Sequence, residues 1–161
     1  MSHSSPNNMM QAALEPDIRV RWLDAAEAEK EAPAFAKFFM GAALETYGAY
    51  HPRDILALTL DGKLRMCAIY DAHAAVIEGV LWLQLLETPG GLIADVAFLA
   101  IQEGKLCAEP LWKGAWRSIC ETLTQLECDR VQVLGRKHLG VLLDLEPLAH
   151  QYATMLRKRD S

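Results

Sequence analysis

The chain has 161 residues, of which 52% are hydrophobic and 23% are charged. This length supports one hydrophobic core rather than two, and the composition is typical of a globular protein and not of a disordered one. The formal net charge of −5 argues against nucleic acid or an anionic membrane as the partner, because the mean field of the protein repels phosphate. The four cysteines lack C-x-x-C spacing and the five histidines are scattered, so we expect free thiols and no metal site.

The N-terminal residues 1–16 are rich in Ser, Asn, Pro and Met. We expect them to form a mobile tail ahead of a single domain at residues 17–161. The tail lacks the basic and apolar regions of a signal peptide, and the apolar stretch Ala34–Leu44 is too short to span a bilayer. The sequence therefore predicts no membrane span and a location in the cytoplasm.

The first predicted elements are a strand and two helices. Ile18–Trp22 alternates apolar and basic residues, which is typical of a half-buried strand, and Asp24 is placed to cap a helix that ends near Glu31. Pro33 separates this helix from a second, amphipathic one. The predicted buried face of the second helix carries Phe35, Phe38, Phe39, Ala42 and Ala43.

The middle of the chain predicts antiparallel strands. After a short helix or turn at Arg53–Leu56, the dipeptide Asp61-Gly62 lies between two apolar runs, which predicts a β-hairpin over residues 58–66. The longer apolar runs Ala75–Glu87 and Leu92–Ile101 are separated by a Pro-Gly-Gly turn. We expect these two runs to form neighbouring strands near the centre of a sheet.

Beyond these strands the apolar period becomes helical. The predicted helix face is formed by Trp112, Ala115, Trp116, Ile119, Cys120, Leu123 and Leu126. Asp129–Gly135 predicts a strand, residues 137–143 a short helix, and Ala149–Arg157 a last strand. This order predicts an α/β fold with a mixed, mostly antiparallel sheet flanked by helices.

Several short motifs carry a family resemblance. Glu127–Leu139 contains a Glu-Cys helix end, a strand and then Gly135-Arg136, and Tyr152–Lys158 ends a last strand in basic residues. Arg53–Leu56 with Leu60–Leu64 gives an Asp-Ile…Leu-x-x-Gly segment. On these motifs the chain resembles phage-encoded GNAT-like proteins of the N-acetyltransferase superfamily over residues 18–158. The resemblance implies a GNAT-like fold, expression in the cytoplasm of a bacterial host during infection, and incorporation into the virion as one outcome.

The resemblance also directs attention to a cofactor loop. An active GNAT enzyme holds the pyrophosphate of coenzyme A on an Arg/Gln-x-x-Gly-x-Gly/Ala loop before its long helix. The matching stretch keeps only a Lys113-Gly114-Ala115 remnant, and it places Glu103 and Glu109 where phosphates would bind. We therefore expect no intact acetyl-CoA loop and no cofactor. Lys113 and Gly114 are the cofactor-binding candidates if acetyl-CoA does bind.

Catalytic residues stay unassigned on the sequence. A GNAT enzyme commonly has a general-acid Tyr after the fifth strand, where this chain offers His138 instead. Tyr152 falls in the predicted last strand and is interpreted as a sheet aromatic. Glu78 and Asp95 on the predicted central strands are candidates for a general base, with solvated carboxylates at strand ends as the alternative.

Three functions remain open at this point. The altered loop favours a non-catalytic, virion-associated or morphogenesis protein that binds phage structural proteins or a second copy of itself. Met9, Met10 and Leu14 in the tail are apolar residues suited to such docking. The alternatives are an active N-acetyltransferase that modifies a protein or a small amine, and an inhibitor of a host bacterial protein. Whether the chain is an enzyme is therefore left open, with the loop weighing against it.

Overall fold

A computed structural model of the protein describes residues 16–102, 109–134, 146–148 and 151–155. Its elements in chain order are β1 (Ile18–Leu23), α1 (Ala25–Glu31), a 3-10 turn (Ala32–Phe35), α2 (Ala36–Leu44), α3 (Pro52–Leu60), β2 (Arg65–Asp71), β3 (Val76–Thr88), β4 (Gly91–Ile101), α4 (Glu109–Gln125), β5 (Arg130–Leu134), β6 (Glu146–Leu148) and β7 (Gln151–Met155).

The described strands form a single sheet in the order β1-β2-β3-β4-β5-β7-β6. All neighbouring pairs are antiparallel except β4 and β5, which are parallel and are connected through α4. A parallel pair requires such a crossover, because a tight turn cannot return the chain to the same direction. The predicted α/β fold with a mixed, mostly antiparallel sheet is therefore confirmed.

Helices cover both faces of the sheet. Helix α4 packs on one face through Ala115, Trp116, Ile119 and Leu123, against strand residues that include Leu81 and Val131. The other face is covered by α1, α2 and α3, which contribute buried residues such as Phe38, Phe39 and Ile55. Successive residues of a central strand, such as Val80 and Leu81, belong to the clusters on opposite faces of the sheet. Because both faces are buried, the central strands appear in the sequence as continuous apolar runs.

Local sequence signals account for the helix starts. The Asp24 carboxylate accepts a hydrogen bond from the Glu27 amide at 2.8 Å, which confirms the predicted cap of α1. At α3 the Asp54 carboxylate accepts from the His51 amide at 2.8 Å, and His51 Nδ1 accepts from the Arg53 amide at 3.3 Å. Pro52 then occupies the first turn, where the missing N–H costs nothing.

The hairpin predicted over residues 58–66 is wrong. The first of its two apolar runs belongs to α3, which continues to Leu60, and Gly62 has φ +76°. The Lys63 amide donates to the Leu58 carbonyl and the Gly62 amide to the Thr59 carbonyl. This is the Schellman helix end, which uses the same glycine freedom as a hairpin turn, so the dipeptide alone does not distinguish them.

The C-terminal third agrees with the prediction in part. Strand β5 lies where Asp129–Gly135 predicts one, and β7 lies within the predicted last strand. Strand β6 was not predicted; it pairs with β7 at the edge of the sheet. The predicted tail up to residue 15 and the predicted short helix at 137–143 lie outside the described residues. Within the described part, no helix is long and apolar enough to cross a membrane.

Candidate functional site

The candidate site lies where the two parallel strands separate. β4 and β5 are paired from Ile93–Arg130 to Val96–Val133. Strand β4 then continues to Ile101, and along this last part its described strand partner is β3 alone. In open α/β sheets, ligands bind in the crevice beyond the carboxyl ends of parallel strands, where neighbouring connections diverge.

A β-bulge in β4 marks the point of separation. Val96 is opposite Leu83 and Phe98 is opposite Trp82, so Ala97 is an extra residue in β4. A bulge bends its strand and increases the local twist. The bulge follows directly after Val96, the last residue of β4 that pairs with β5.

Three polar side chains form a row across the strands just before the bulge. Asp95 is opposite Gln84 on β3 and opposite Gln132 on β5. We call these residues the polar row. The Gln132 side-chain amide donates to Asp95 Oδ1 at 3.4 Å, and the exposed fraction of Gln132 is 8%. Burial raises the pKa of the Asp95 carboxyl above its usual 3.8, and the hydrogen bond from Gln132 lowers it in part.

Helix α2 and the loop after it contact β4 beyond the bulge. The Tyr50 ring packs edge-on against Phe98, with 5.1 Å between the ring centroids. At the other end of α2, Lys37 Nζ donates to Gln102 Oε1 at 3.0 Å. The helix thus lies along the carboxyl half of β4, and an exposed tyrosine stands beside the position at which the strands separate.

The structure separates the two predicted base candidates. Glu78 is an extra residue in β3 at a second irregularity, and its side chain is buried, with 1% exposure. Its neighbour Gly79 pairs with Ile101, six residues along β4 from Asp95, which corresponds to about 20 Å of extended strand. Asp95 is therefore the candidate that lies at the separation of the strands.

The predicted cofactor-binding residues lie inside α4. Lys113 and Gly114 are exposed and fall in the second turn of the helix, where backbone amides are bonded within the helix. A Cβ built on Gly114 would meet no heavy atom within 4 Å, so packing does not require a glycine there. The remainder of the predicted loop, residues 103–108, lies outside the described residues. Phosphate binding by Lys113 and Gly114 stays a prediction.

The remaining predicted residues fall outside the described residues or in β7. His138 and the pair Gly135-Arg136 lie outside the described residues. Tyr152 is in β7, where it pairs with Val133 and Pro147 as a strand residue. Sequence reasoning missed Gln132 and Tyr50. The signal for Gln132 was one polar residue between two valines in a buried strand.

The thiol and metal predictions can be compared with the described residues. Cys67, Cys120 and Cys128 form no disulfide, and burial raises the pKa of both Cys67 and Cys120 to about 12. Thiols with such a high pKa are poor nucleophiles at neutral pH. The described residues hold no cluster of three His, Cys, Asp or Glu side chains that would bind a metal ion.

Two cavities lined by described residues lie near the sheet, and Asp95 is not among the residues that line either of them. One of about 320 Å³ is lined mainly by apolar residues, with Arg21 and Glu31 among them, at the β1–β2–β3 side. The other, about 250 Å³, is lined by Lys63, Arg65 and Gln84 and so adjoins the polar row. The candidate site is accordingly the separation of the strands itself, and the smaller cavity is its neighbour.

Comparison with known proteins supports the fold assignment. No protein-family model and no curated protein matches the sequence. Among solved structures, the chain is similar to a probable acetyltransferase from Staphylococcus epidermidis, with 8% identity, TM-score 0.64, and 86% of this chain and 99% of that chain covered. It is similar to Tetrahymena GCN5, with 8% identity, TM-score 0.61, and 86% and 96% covered.

A third similar structure contains the coenzyme. It is the GNAT family N-acetyltransferase YhbS from Escherichia coli in complex with CoA, with 17% identity, TM-score 0.62, and 97% of this chain and 86% of that chain covered. At these identities the likenesses show the fold alone. The chain has the fold of GNAT N-acetyltransferases, as the sequence resemblance implied. The phage resemblance, the virion role and the inhibitor role stay predictions.

Proposed function

We propose that this protein is an N-acetyltransferase that transfers the acetyl group of acetyl-CoA to an amine of a small molecule or a protein. The observation that carries the proposal is Asp95, a half-buried carboxylate with a raised pKa, at the point where β4 and β5 separate. A fold does not by itself establish an activity, so the argument depends on this placement.

The shape of the crevice suits coenzyme A. The edge of β4 beyond Val96 that faces away from β3 has no partner strand among the described residues. The pantetheine arm carries amides, which bind an open strand edge as a peptide strand does. Backbone amides in the first turn of an α-helix have no partner within the helix, so the start of α4 is suited to the pyrophosphate, and Lys113 adds positive charge one turn later.

Asp95 is suited to accept a proton from the substrate amine. When bound, acetyl-CoA supplies the acetyl group as a thioester. An amine attacks only as the neutral base, so the ammonium form that prevails at neutral pH must first lose a proton. A partly buried carboxylate with a raised pKa is a stronger base than an exposed one, and it remains ionised above that pKa.

The first test measures binding and turnover separately. We expect calorimetric titration to show acetyl-CoA binding with a dissociation constant below about 1 mM. A panel of primary amines and basic peptides, followed by thiol release, should identify an acceptor. Asp95→Asn should then keep acetyl-CoA binding and reduce kcat about 100- to 10,000-fold, since it removes the base and keeps the shape.

The control is Asp24→Asn, which makes the same chemical change at the exposed N-cap of α1, next to the edge strand β1, and Asn caps a helix as well as Asp does. It should keep both binding and turnover. Absence of acetyl-CoA binding to the wild-type chain would refute the proposal and would favour the non-catalytic, virion-associated role.

A further inference from the structure

The polar row lies on the face of the sheet opposite to α4. Its neighbours along β4 and β5, among them Ala94, Val96, Val131 and Val133, pack in the cluster that α4 closes, and successive side chains of a strand point to opposite faces. Gln132 is nevertheless buried. Burying an amide without a hydrogen bond costs about 1–3 kcal/mol, so the side chain of Gln132 requires a partner at this position.

The two glutamines of the row differ in their environment. Gln132 is buried, and its Nε2 donates to Asp95 Oδ1 at 3.4 Å. Gln84 is opposite Asp95 on the other side, but it is exposed, and no side-chain hydrogen bond joins it to a described residue. Hydrogen bonds of catalytic groups are often long before substrate binds and tighten in the complex.

We propose that Gln132 is a positioning residue: by donating from Nε2 to Oδ1 across the parallel strands, it holds the Asp95 carboxylate so that Oδ2 accepts the proton of the substrate ammonium. This inference rests on the proposed acetyltransferase function. An amide suits the task because it neither gains nor loses a proton near neutral pH, and so it orients the carboxylate without competing for the proton.

The proton step is balanced within these groups. One N–H bond of the ammonium breaks, its electron pair stays on nitrogen as the lone pair, and the proton forms an O–H bond at Asp95 Oδ2. Asp95 becomes a neutral acid, which still accepts from Gln132 through Oδ1, and it later returns the proton to water. No electron is transferred to or from the enzyme.

The test compares Gln132→Leu with Gln125→Leu, which is the same substitution at the exposed last residue of α4, outside the polar row. In Gln132→Leu, we expect kcat to fall about 10- to 100-fold with little change in the KM for acetyl-CoA, because the base is misplaced and the crevice is intact. The acid limb of the pH profile should move to higher pH, because the carboxylate loses the donor that stabilises its charged form. Gln125→Leu should leave both unchanged.

A second measurement does not depend on turnover. The carbon-13 resonance of the Asp95 carboxyl should titrate at higher pH in Gln132→Leu than in the wild type, and at an unchanged pH in Gln125→Leu. If the wild type is active and Gln132→Leu shifts neither this titration nor the pH profile, the positioning role is refuted and the acetyltransferase function stands. If the wild type transfers no acetyl group, both proposals fail.

Discussion

Asp95 is subject to two opposing effects at the scale of a single residue. Its partial burial favours the neutral acid and raises the pKa, whereas the Gln132 hydrogen bond favours the carboxylate. Burial is the larger effect, so the folded protein binds a proton at Asp95 more tightly than the unfolded chain does. The charge that a base needs therefore reduces the stability of the fold.

A first prediction follows for the stability of Asp95→Asn. Since the pKa is raised in the folded state, the free energy of unfolding of the wild type falls as pH rises from about 3.8 through the raised value, and the loss persists above it. Asparagine does not titrate and can still accept from Gln132. At pH 7 we expect the variant to have a higher Tm than the wild type, and the difference should disappear below pH 3.8.

Thermal unfolding followed by circular dichroism measures this difference in Tm. A range of about pH 3 to pH 8 spans the usual titration of a carboxyl group and neutral pH. An Asp95→Asn protein that is less stable than the wild type at neutral pH would show that the carboxylate is not destabilised by its surroundings.

At the scale of elements, two side-chain contacts fix strands and helices to one another. The Arg21 guanidinium on β1 bonds Glu27 and Glu31 of α1, which fastens the first helix to the edge of the sheet and holds the pKa of Glu31 below its usual value. The Asp129 carboxylate, just before β5, accepts from the Leu92 amide of β4 at 3.0 Å. This second contact joins the two parallel strands at the end opposite to the candidate site.

A second prediction concerns Gly91, the first residue of β4. Its φ is +123°, and a Cβ there would lie 1.9 Å from Asp129 Oδ2. Gly91→Ala should therefore displace the Asp129 carboxylate in addition to straining the backbone. We expect it to lower the free energy of unfolding, measured in urea, by about 2 kcal/mol or more.

Gly62→Ala is the matched control, because Gly62 also has positive φ, +76°, but has open space around it. It carries only the backbone strain, which costs about 1 kcal/mol. If both variants lose the same free energy of unfolding, the contact with Asp129 does not contribute to stability.

At the scale of the whole molecule, the sheet separates two apolar clusters that must form together. Helix α4 closes one cluster, and α1 to α3 close the other. The central strands β2, β3 and β4 contribute residues to both clusters. We therefore expect the loss of buried apolar contacts on one face to destabilise the entire domain, because the strands that contribute to both faces unfold as one unit.

The third prediction tests this coupling with two leucines of the same chain region. Leu123→Ala empties a fully buried position on α4 and should cost about 2–5 kcal/mol. Leu126→Ala, at a position with 38% exposure, should cost about 0.5 kcal/mol or less. Tryptophan fluorescence and circular dichroism should report one common transition in each variant. Two separate transitions in Leu123→Ala would show that the faces unfold independently.

Much of the fold could be predicted from the sequence because its signals are local. The cap at Asp24, the apolar period of α4 and the long runs of β3 and β4 each depend on residues that are near one another in the chain. The same local reasoning failed at Asp61-Gly62, because a helix end and a hairpin turn require the same glycine conformation there.

The site itself was decided by tertiary structure. The sequence alone named Asp95 as one of two carboxylates on central strands, and it gave no reason to prefer either. The choice between them depends on which strand end separates from its parallel neighbour, and the partner Gln132 is 37 residues away along the chain. The register of β4 against β5 brings Asp95 and Gln132 together. That register depends on how α4, which connects the two strands, packs on the sheet. A carboxylate acquires a raised pKa only from neighbours that bury it, and those neighbours exist only once the sheet has formed.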